Sequence, residues 1–563
     1  MWPVHRERPA GPRRQRKHRR MSARGLNLLV FRAGCRRLHG PELKAQLLQE
    51  LESLAASPST DDVLNALLRA GELECGIADA DADSLPFAKL TDSLAEAVIG
   101  SRLPSHFQSG KEATRGAPVP ELLDLSTPEG FAYYALHPLA YAQVLDKLPS
   151  LPEHMVVVGI RSIGTTLSAM TAAAARLRGA AVVRITVRPG GHPYNRETQF
   201  SPHQRAVVED AIRGGAEFLI VDEGPGLSGS SFLSVAEALE RTGAAREKII
   251  LVCGHEPNVD ALCSANAAAR WRRFQSVRVA GEPHLPREAE VFIGGGEWRK
   301  LLFAGSLEWP EAWASMERLK YLSTAEPRRL FKFAGLGHYG TPVLEREQAV
   351  AAAGFGSIPR QESDGFISYP WLNGRPASAR DLSSDVLMRL AEYCAFSAEA
   401  FVAGAVDLAP LQEMAEHNSG QLGVKLPLEL KLERPVIADG RMQPHEWIFT
   451  DRGEMLKTDS GSHGDDHFFP GATDIPWDLA GAIVEWRMTE AQVSAFLDRY
   501  KRASGDDAKA RIEDFIYAYT VFRWAYCKMA ANAMQGTPEQ ARLDAAAESY
   551  AAMLPVLRAA SGY

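Results

Sequence analysis

Apolar runs and amphipathic stretches alternate between His154 and Val252 in a β/α rhythm. Met155 to Ile160 is a continuous apolar run, Thr165 to Arg178 is an Ala-rich helical stretch closed by Gly179, and Ala181 to Val187 is a second β run. Helix is predicted over Pro202 to Arg213 and Ser231 to Thr242, and strand over Glu217 to Val221 and Lys248 to Val252. Strands separated by helices predict a doubly wound parallel sheet with its ligand loops at the carboxyl ends of the strands, after Ile160, Val187 and Val221. Upstream, periodic Leu and Ala from Glu42 to Leu151 predict a helical leader. Its end, Pro128 to Tyr141, concentrates aromatics that read as packing residues. After Glu326 the β/α rhythm is lost. A short β run, Arg329 to Phe333, leads to Gly335-Leu-Gly-His-Tyr-Gly and then to a helix signalled by Thr341, Pro342 and a closing Gly354. The C-terminal stretch with Phe515, Tyr519, Phe522 and Trp524 reads as a buried helical lobe.

The 563 residues suffice for three or four domains at ~150 residues each. With 45% hydrophobic and 24% charged residues, disordered, collagen-like and coiled-coil classes are excluded. No apolar stretch is long enough to span a bilayer, so no membrane partner is expected. The net charge of −7 hides a basic tail, because residues 1–20 hold eight Lys or Arg and one Glu. That tail lacks the apolar core of a signal peptide and reads as a disordered extension or an upstream start before Met21. It is the sole feature pointing to nucleic acid, which is not expected as a partner. Six cysteines without a CxxC pair fit a reducing cytoplasm. The expected division is a basic disordered tail (1–40), a helical leader (41–150), the parallel-sheet domain (151–285), a linker (286–325) and a last domain (326–563).

Phe218-Leu-Ile-Val-Asp-Glu-Gly-Pro-Gly-Leu-Ser-Gly-Ser-Ser delivers two acids to the end of a buried strand and then opens a helix through a Gly/Ser loop. Gly226, Ser228, Gly229, Ser230 and Ser231 offer backbone N–H groups and hydroxyls at a helix N-terminus, a natural phosphate cradle. The stretch resembles the phosphoribosyl-diphosphate loop of type I phosphoribosyltransferases. By that resemblance Asp222 and Glu223 orient the ribose and steady the developing positive charge. The loop Gly159-Ile-Arg-Ser-Ile-Gly would hold diphosphate through Arg161, Ser162 and Gly164. Arg188 or Arg196, in Arg188-Pro-Gly-Gly-His-Pro-Tyr-Asn-Arg, would reach it from a mobile cover. The sequence departs from that family in a longer Gly224-Pro-Gly-Leu insert and in Ser for the usual Thr.

Gly335-Leu-Gly-His-Tyr-Gly fits a dinucleotide fingerprint only weakly, since the acid that follows, Asp364, precedes its strand. Lys332 on a strand, Glu345 or Glu347 on the next helix, and Asp439 and Asp459 spaced downstream suit ATP-dependent phosphoryl transfer better. With Asp474-Ile-Pro-Trp-Asp-Leu-Ala, residues 326–563 resemble aminoglycoside phosphotransferase-like and choline-kinase-like enzymes of the protein-kinase-like fold. The resemblance implies that Lys332 holds nucleotide phosphates, Glu345 (or Glu347) pairs with it and Asp439 orients the acceptor. It further implies that Asp459 binds Mg²⁺, that Glu446 substitutes for a missing metal-binding Asn, and that Asp474 and Asp478 brace the catalytic loop. Asp466, in His463-Gly-Asp-Asp-His, is a further metal candidate. The catalytic His and Asn of that family are absent.

The fold class expected is multidomain α/β: a phosphoribosyltransferase-like parallel-sheet domain joined to an α+β bilobal kinase-like domain with a helical C-terminal lobe. The expected function is a bifunctional nucleotide-metabolite enzyme. It would combine phosphoribosyl transfer, or its reverse, with phosphorylation of a small molecule, using Mg²⁺, ATP and phosphoribosyl diphosphate, possible homodimer formation being open. The contrasting expectation is a sensor that binds these ligands without turnover.

Overall fold

A computed structural model of the chain describes residues 22–23, 26–29, 35–54, 58–279, 284–306, 308–424, 428–462 and 468–560. The basic tail at 1–20 lies outside them, as do His463, Asp465, Asp466 and His467.

The expected end of the tail at residue 40 is corrected, because Cys35–His39 is a strand that pairs with the leader, which with it forms two β strands and four main helices. Strands β1 (Cys35–His39) and β2 (Leu122–Ser126) pair antiparallel and enclose α1 (Gly40–Ser53), α2 (Thr60–Asp79), α3 (Leu85–Gly100) and α4 (Phe107–Gly116). Ser59 starts α2 by accepting the N–H of Asp62, and Asp61 and Asp62 complement the helix dipole. Leu64, Leu67, Leu73 and Ile77 of α2 are buried with Phe87, Leu90 and Leu94 of α3.

Next come β3 (His154–Ile160), α5 (Ile163–Leu177), β4 (Ala181–Val187) and a small hairpin, β5 (Gly190–His192) with β6 (Asn195–Glu197). They are followed by α6 (Pro202–Arg213), β7 (Glu217–Val221), α7 (Ser230–Thr242), β8 (Ile249–Cys253) and β9 (Gln275–Arg278). The five long strands form one parallel sheet in the order β9-β8-β7-β3-β4. All but the first residue of β3 is buried, as a strand covered on both faces requires. The strand order reverses between β3 and β7, so the loops after Ile160 and Val221 open side by side. One face of the sheet packs on α5 and the leader, the other on α6 and α7. The leader is therefore a layer of this domain. Its Glu74 makes a two-pronged ion pair, 2.8 and 3.0 Å, with Arg184 of β4, both side chains being buried.

The expected linker at 286–325 is corrected. Val291–Phe292 (β10) and Lys320–Leu322 (β11) join β12 (Arg329–Phe333), β13 (Arg360–Gln361) and β14 (Phe366–Pro370) in a second, antiparallel sheet, ordered β10-β11-β12-β14-β13. The charge and Trp content of this stretch masked two short strands. Helix α8 (Thr341–Ala352) follows β12 as expected. The Gly335–Gly340 turn is not a phosphate loop. Its His338 N–H donates to Asn65 Oδ1 of α2 at 2.7 Å, and Leu336 is buried with the leader.

Beyond β14 lie the strands β15 (Gly374–Pro376), β16 (Pro435–Ile437), β17 (Trp447–Thr450), β18 (Met455–Lys457) and β19 (Ala472–Asp474). With them come helices α9 (Ser384–Ala400), α10 (Ala409–Gln421), α11 (Pro476–Glu485), α12 (Glu490–Ser504), α13 (Ile512–Ala533) and α14 (Pro538–Ala560). Tyr519, Phe522 and Trp477 anchor this lobe's core. No helix among the described residues is long and apolar enough to cross a membrane.

Candidate functional site

At the reversal point of the parallel sheet the two acids lie at the end of β7 against the loop after β3. Gly164 must be glycine, since a Cβ there would sit 2.7 Å from the Val221 carbonyl and 3.4 Å from Asp222 Oδ1. Ser162 enters α5 with φ 102°, a strained value for a residue with a side chain. Asp222 Oδ1 accepts the Glu223 N–H at 2.9 Å, and Tyr141 Oη donates to the Asp222 carbonyl at 2.9 Å. Burial pushes Asp222 up to about 7, against the opposing pull of Arg188 and Arg196. Glu223 is raised further by burial, then by Glu129 and Asp222. Gly226 and Gly229 carry positive φ, 57° and 69°, which the loop needs to turn into α7. Ser228 and Ser230 bond each other at 2.9 Å, Ser230 Oγ also donates to the Pro193 carbonyl at 2.6 Å, and Ser231 follows Ser230 in the first turn of α7.

The arginines are a correction. Arg161 bonds Asp79 Oδ1 at 3.1 Å and the Ala78 carbonyl at 3.0 Å, while Arg188 Nη2 reaches Asp79 Oδ2 at 2.5 Å and Cys75 Sγ at 3.2 Å. Both guanidinium groups are thus committed to the leader. Even against burial, they hold the Asp79 carboxyl below its usual range. Arg196 donates to the Pro189 carbonyl at 2.9 Å, within its own hairpin.

The second site is a cavity of about 130 Å³ between the antiparallel sheet and the C-terminal lobe. Leu330 and Lys332 of β12, the Tyr369–Leu372 connection, Ile448 of β17 and Asp459 line it. Lys332 Nζ bonds Asp459 Oδ1 and donates to Ser462 Oγ at 2.7 Å. Burial lowers Lys332, with Asp459 and Glu347 opposing. Of the two helix acids, Glu345 faces solvent, so its assignment is corrected. Glu347, one turn-phase inward, is buried and lines the cavity. Its oxygens accept the Gly461 N–H at 2.7 Å and Ser460 Oγ at 2.9 Å, so it fixes the turn after Asp459.

Asp439 is buried behind the cavity. Its Oδ2 accepts Tyr393 Oη at 2.6 Å and lies 3.3 Å from Lys457 Nζ, and its Oδ1 accepts the Arg441 N–H at 3.1 Å. Burial raises Asp439 to about 7, with Lys457 opposing. Asp478 accepts the Asp439 and Gly440 N–H groups at 2.9 Å each, which ties the turn at Asp439 to α11. Asp474 accepts the Arg434 N–H at 3.2 Å.

Sequence reasoning missed four participants. Lys320 of β11 bonds Glu317 at 2.8 Å and stands 3.4 Å from Asp459 Oδ2. Lys457 is a single cation at the end of a short strand. Tyr393 is one aromatic among many on α9. The Gly294-Gly-Gly run, with positive φ at Gly295 and Gly296, starts the segment that covers the cavity with Trp298 and Trp313. The glycine run was the one signal visible in the sequence.

Mg²⁺ at Asp459 and Glu446 does not fit this arrangement. Both Asp459 oxygens face ammonium groups, and burial raises Glu446, which favours its neutral form. Asp466 falls outside the described residues.

No family model matches the chain, and no curated protein is similar by sequence. Among solved structures the chain is similar to choline kinase LicA from Streptococcus pneumoniae, at 13% identity over 41% of this chain and 89% of that one, with a TM-score of 0.27. An ethanolamine kinase of Plasmodium vivax is 8% identical over 43% and 81%, with a TM-score of 0.29. A spectinomycin phosphotransferase is 11% identical over 42% and 85%, with a TM-score of 0.30.

Proposed function

We propose that the cleft of the C-terminal half binds a nucleoside polyphosphate in the manner of small-molecule phosphotransferases. The carrying observation is that Lys332, Glu347 and Asp459, from three separate segments, converge on one cavity that Leu330, Trp371, Leu372 and Ile448 also line. A base would lie between Leu330 and Ile448 against the Tyr369–Leu372 connection, and Lys332 and Lys320 would meet the phosphates. Phosphoryl transfer needs a carboxylate at the acceptor hydroxyl, and Asp439 is held behind the wall by Tyr393 and Lys457. Binding without rapid turnover is the reading this favours. ATP protection of the full chain in thermal melts, lost in Lys332→Met, supports nucleotide binding. Steady ATP consumption abolished by Asp439→Asn would instead establish a kinase.

The parallel sheet supports a second reading, binding of a phosphorylated ribose. Asp222, Glu223 and the Gly226–Ser231 loop meet there beside the strained Ser162. Transfer from phosphoribosyl diphosphate also needs cations for the leaving group, and Arg161 and Arg188 are spent on Asp79. Titration with ribose 5-phosphate and with phosphoribosyl diphosphate, on the natural chain and on Asp222→Ala, tests both parts of this reading.

A further inference from the structure

Three carboxylates surround Lys457. Its side chain is wholly buried at the end of β18, its Nζ donates to the Asp459 carbonyl at 2.9 Å, and it lies 3.3 Å from Asp439 Oδ2. Asp439, Glu446 and Asp459 are the acids that face it. A buried cation cannot withdraw to solvent without leaving its acids uncompensated, which is strongly destabilising. On the other side of Asp459, Lys320 and Lys332 take one oxygen each. The positions at which two acids would share a divalent ion therefore already hold positive charge from the chain itself.

We infer that Lys457 is the resident cation of the cleft, standing where Asp439 and Asp459 would otherwise share a divalent metal, so that a nucleotide polyphosphate binds with no requirement for Mg²⁺. The inference rests on the nucleotide reading and adds to it the ionic state of the ligand: free ATP or ADP, met by Lys320 and Lys332, in preference to its magnesium complex. Lys457 lines the cavity beside Lys320 and Lys332, and it acts as a positioning residue through its contacts with Asp439 Oδ2 and the Asp459 carbonyl.

Equilibrium titration of the full chain with ATP and with ADP, in EDTA and in excess Mg²⁺, tests this. The natural chain is expected to bind with affinities that agree within about threefold in the two buffers. Lys457→Met, which removes the cation beside Asp439 Oδ2 and leaves that place to a metal, should bind at least about tenfold more weakly in EDTA than in Mg²⁺, and Lys457→Arg should behave as the natural chain. Loss of binding by the natural chain in EDTA overturns the inference while leaving the nucleotide reading intact. Absence of binding in both buffers overturns both. The first comparison needs no variant, so a misfolded Lys457→Met cannot obscure it.

Discussion

Arg299 and Glu539, 240 residues apart in the chain, form a buried two-pronged ion pair at 2.9 and 3.0 Å. Glu539 also accepts the Ala312 N–H at 2.7 Å, so the segment that covers the cavity is tied at two points to α14. Removing one member of a buried pair leaves the other uncompensated. Glu539→Ala is therefore expected to cost ~3–5 kcal/mol in denaturant unfolding and to weaken nucleotide binding. An exposed-pair value below ~1 kcal/mol would show that the cover is not held this way.

The leader belongs to the parallel-sheet domain because α2 and α5 approach closely at Gly71. A Cβ there would sit 2.1 Å from Thr166 Oγ1, inside a core where neither helix can retreat. Gly71→Ala should destabilise the chain by ~1–3 kcal/mol, read as a shifted denaturation midpoint with unchanged slope. Wild-type stability in that variant would mean that the leader is only loosely applied.

Stability should fall as pH rises through the neutral range. Burial places Asp222 and Asp439 at about 7, above the unperturbed carboxylate. The folded chain then holds protons that the unfolded chain has already released. The stabilisation this gives is complete below the unfolded pKa of ~3.9 and is lost as pH climbs toward the folded value. Asp222→Asn keeps the Oδ1 acceptor for the Glu223 N–H and removes the titration. Its melting temperature should decline less than that of the natural chain between about pH 5 and pH 8. Parallel declines would contradict the assignment.

Much of the fold was legible because periodicity reports local structure. The strands at Ala181–Val187 and Glu217–Val221 and the helix Pro202–Arg213 fall where the pattern puts them, the helix start being marked by the Ser201–Gln204 capping box. The strand Gln275–Arg278 was not legible, since a polar edge strand resembles a loop, and neither were the short strands at 291–292 and 320–322. In the site, Lys332 and Asp459 were reached from spacing, and Asp478 from the family resemblance. Their partners were not, because Lys320, Lys457, Asp79 and Tyr393 matter through contacts made across long sequence separations. A guanidinium near a phosphate loop reads the same in sequence whether it faces a ligand or, as Arg188 does, an acid of the leader.

The central claim, that the cleft under β12 is a nucleotide site, is tested most directly by filling it. Leu330 lines the cavity and is only half-buried, so Leu330→Trp blocks the space with little demand on the core. Calorimetric titration of the full chain with ATP should show saturable binding of one nucleotide, weakened at least about tenfold in Leu330→Trp at an unchanged melting temperature. Equal binding by both proteins, or none by the natural chain, would contradict the account.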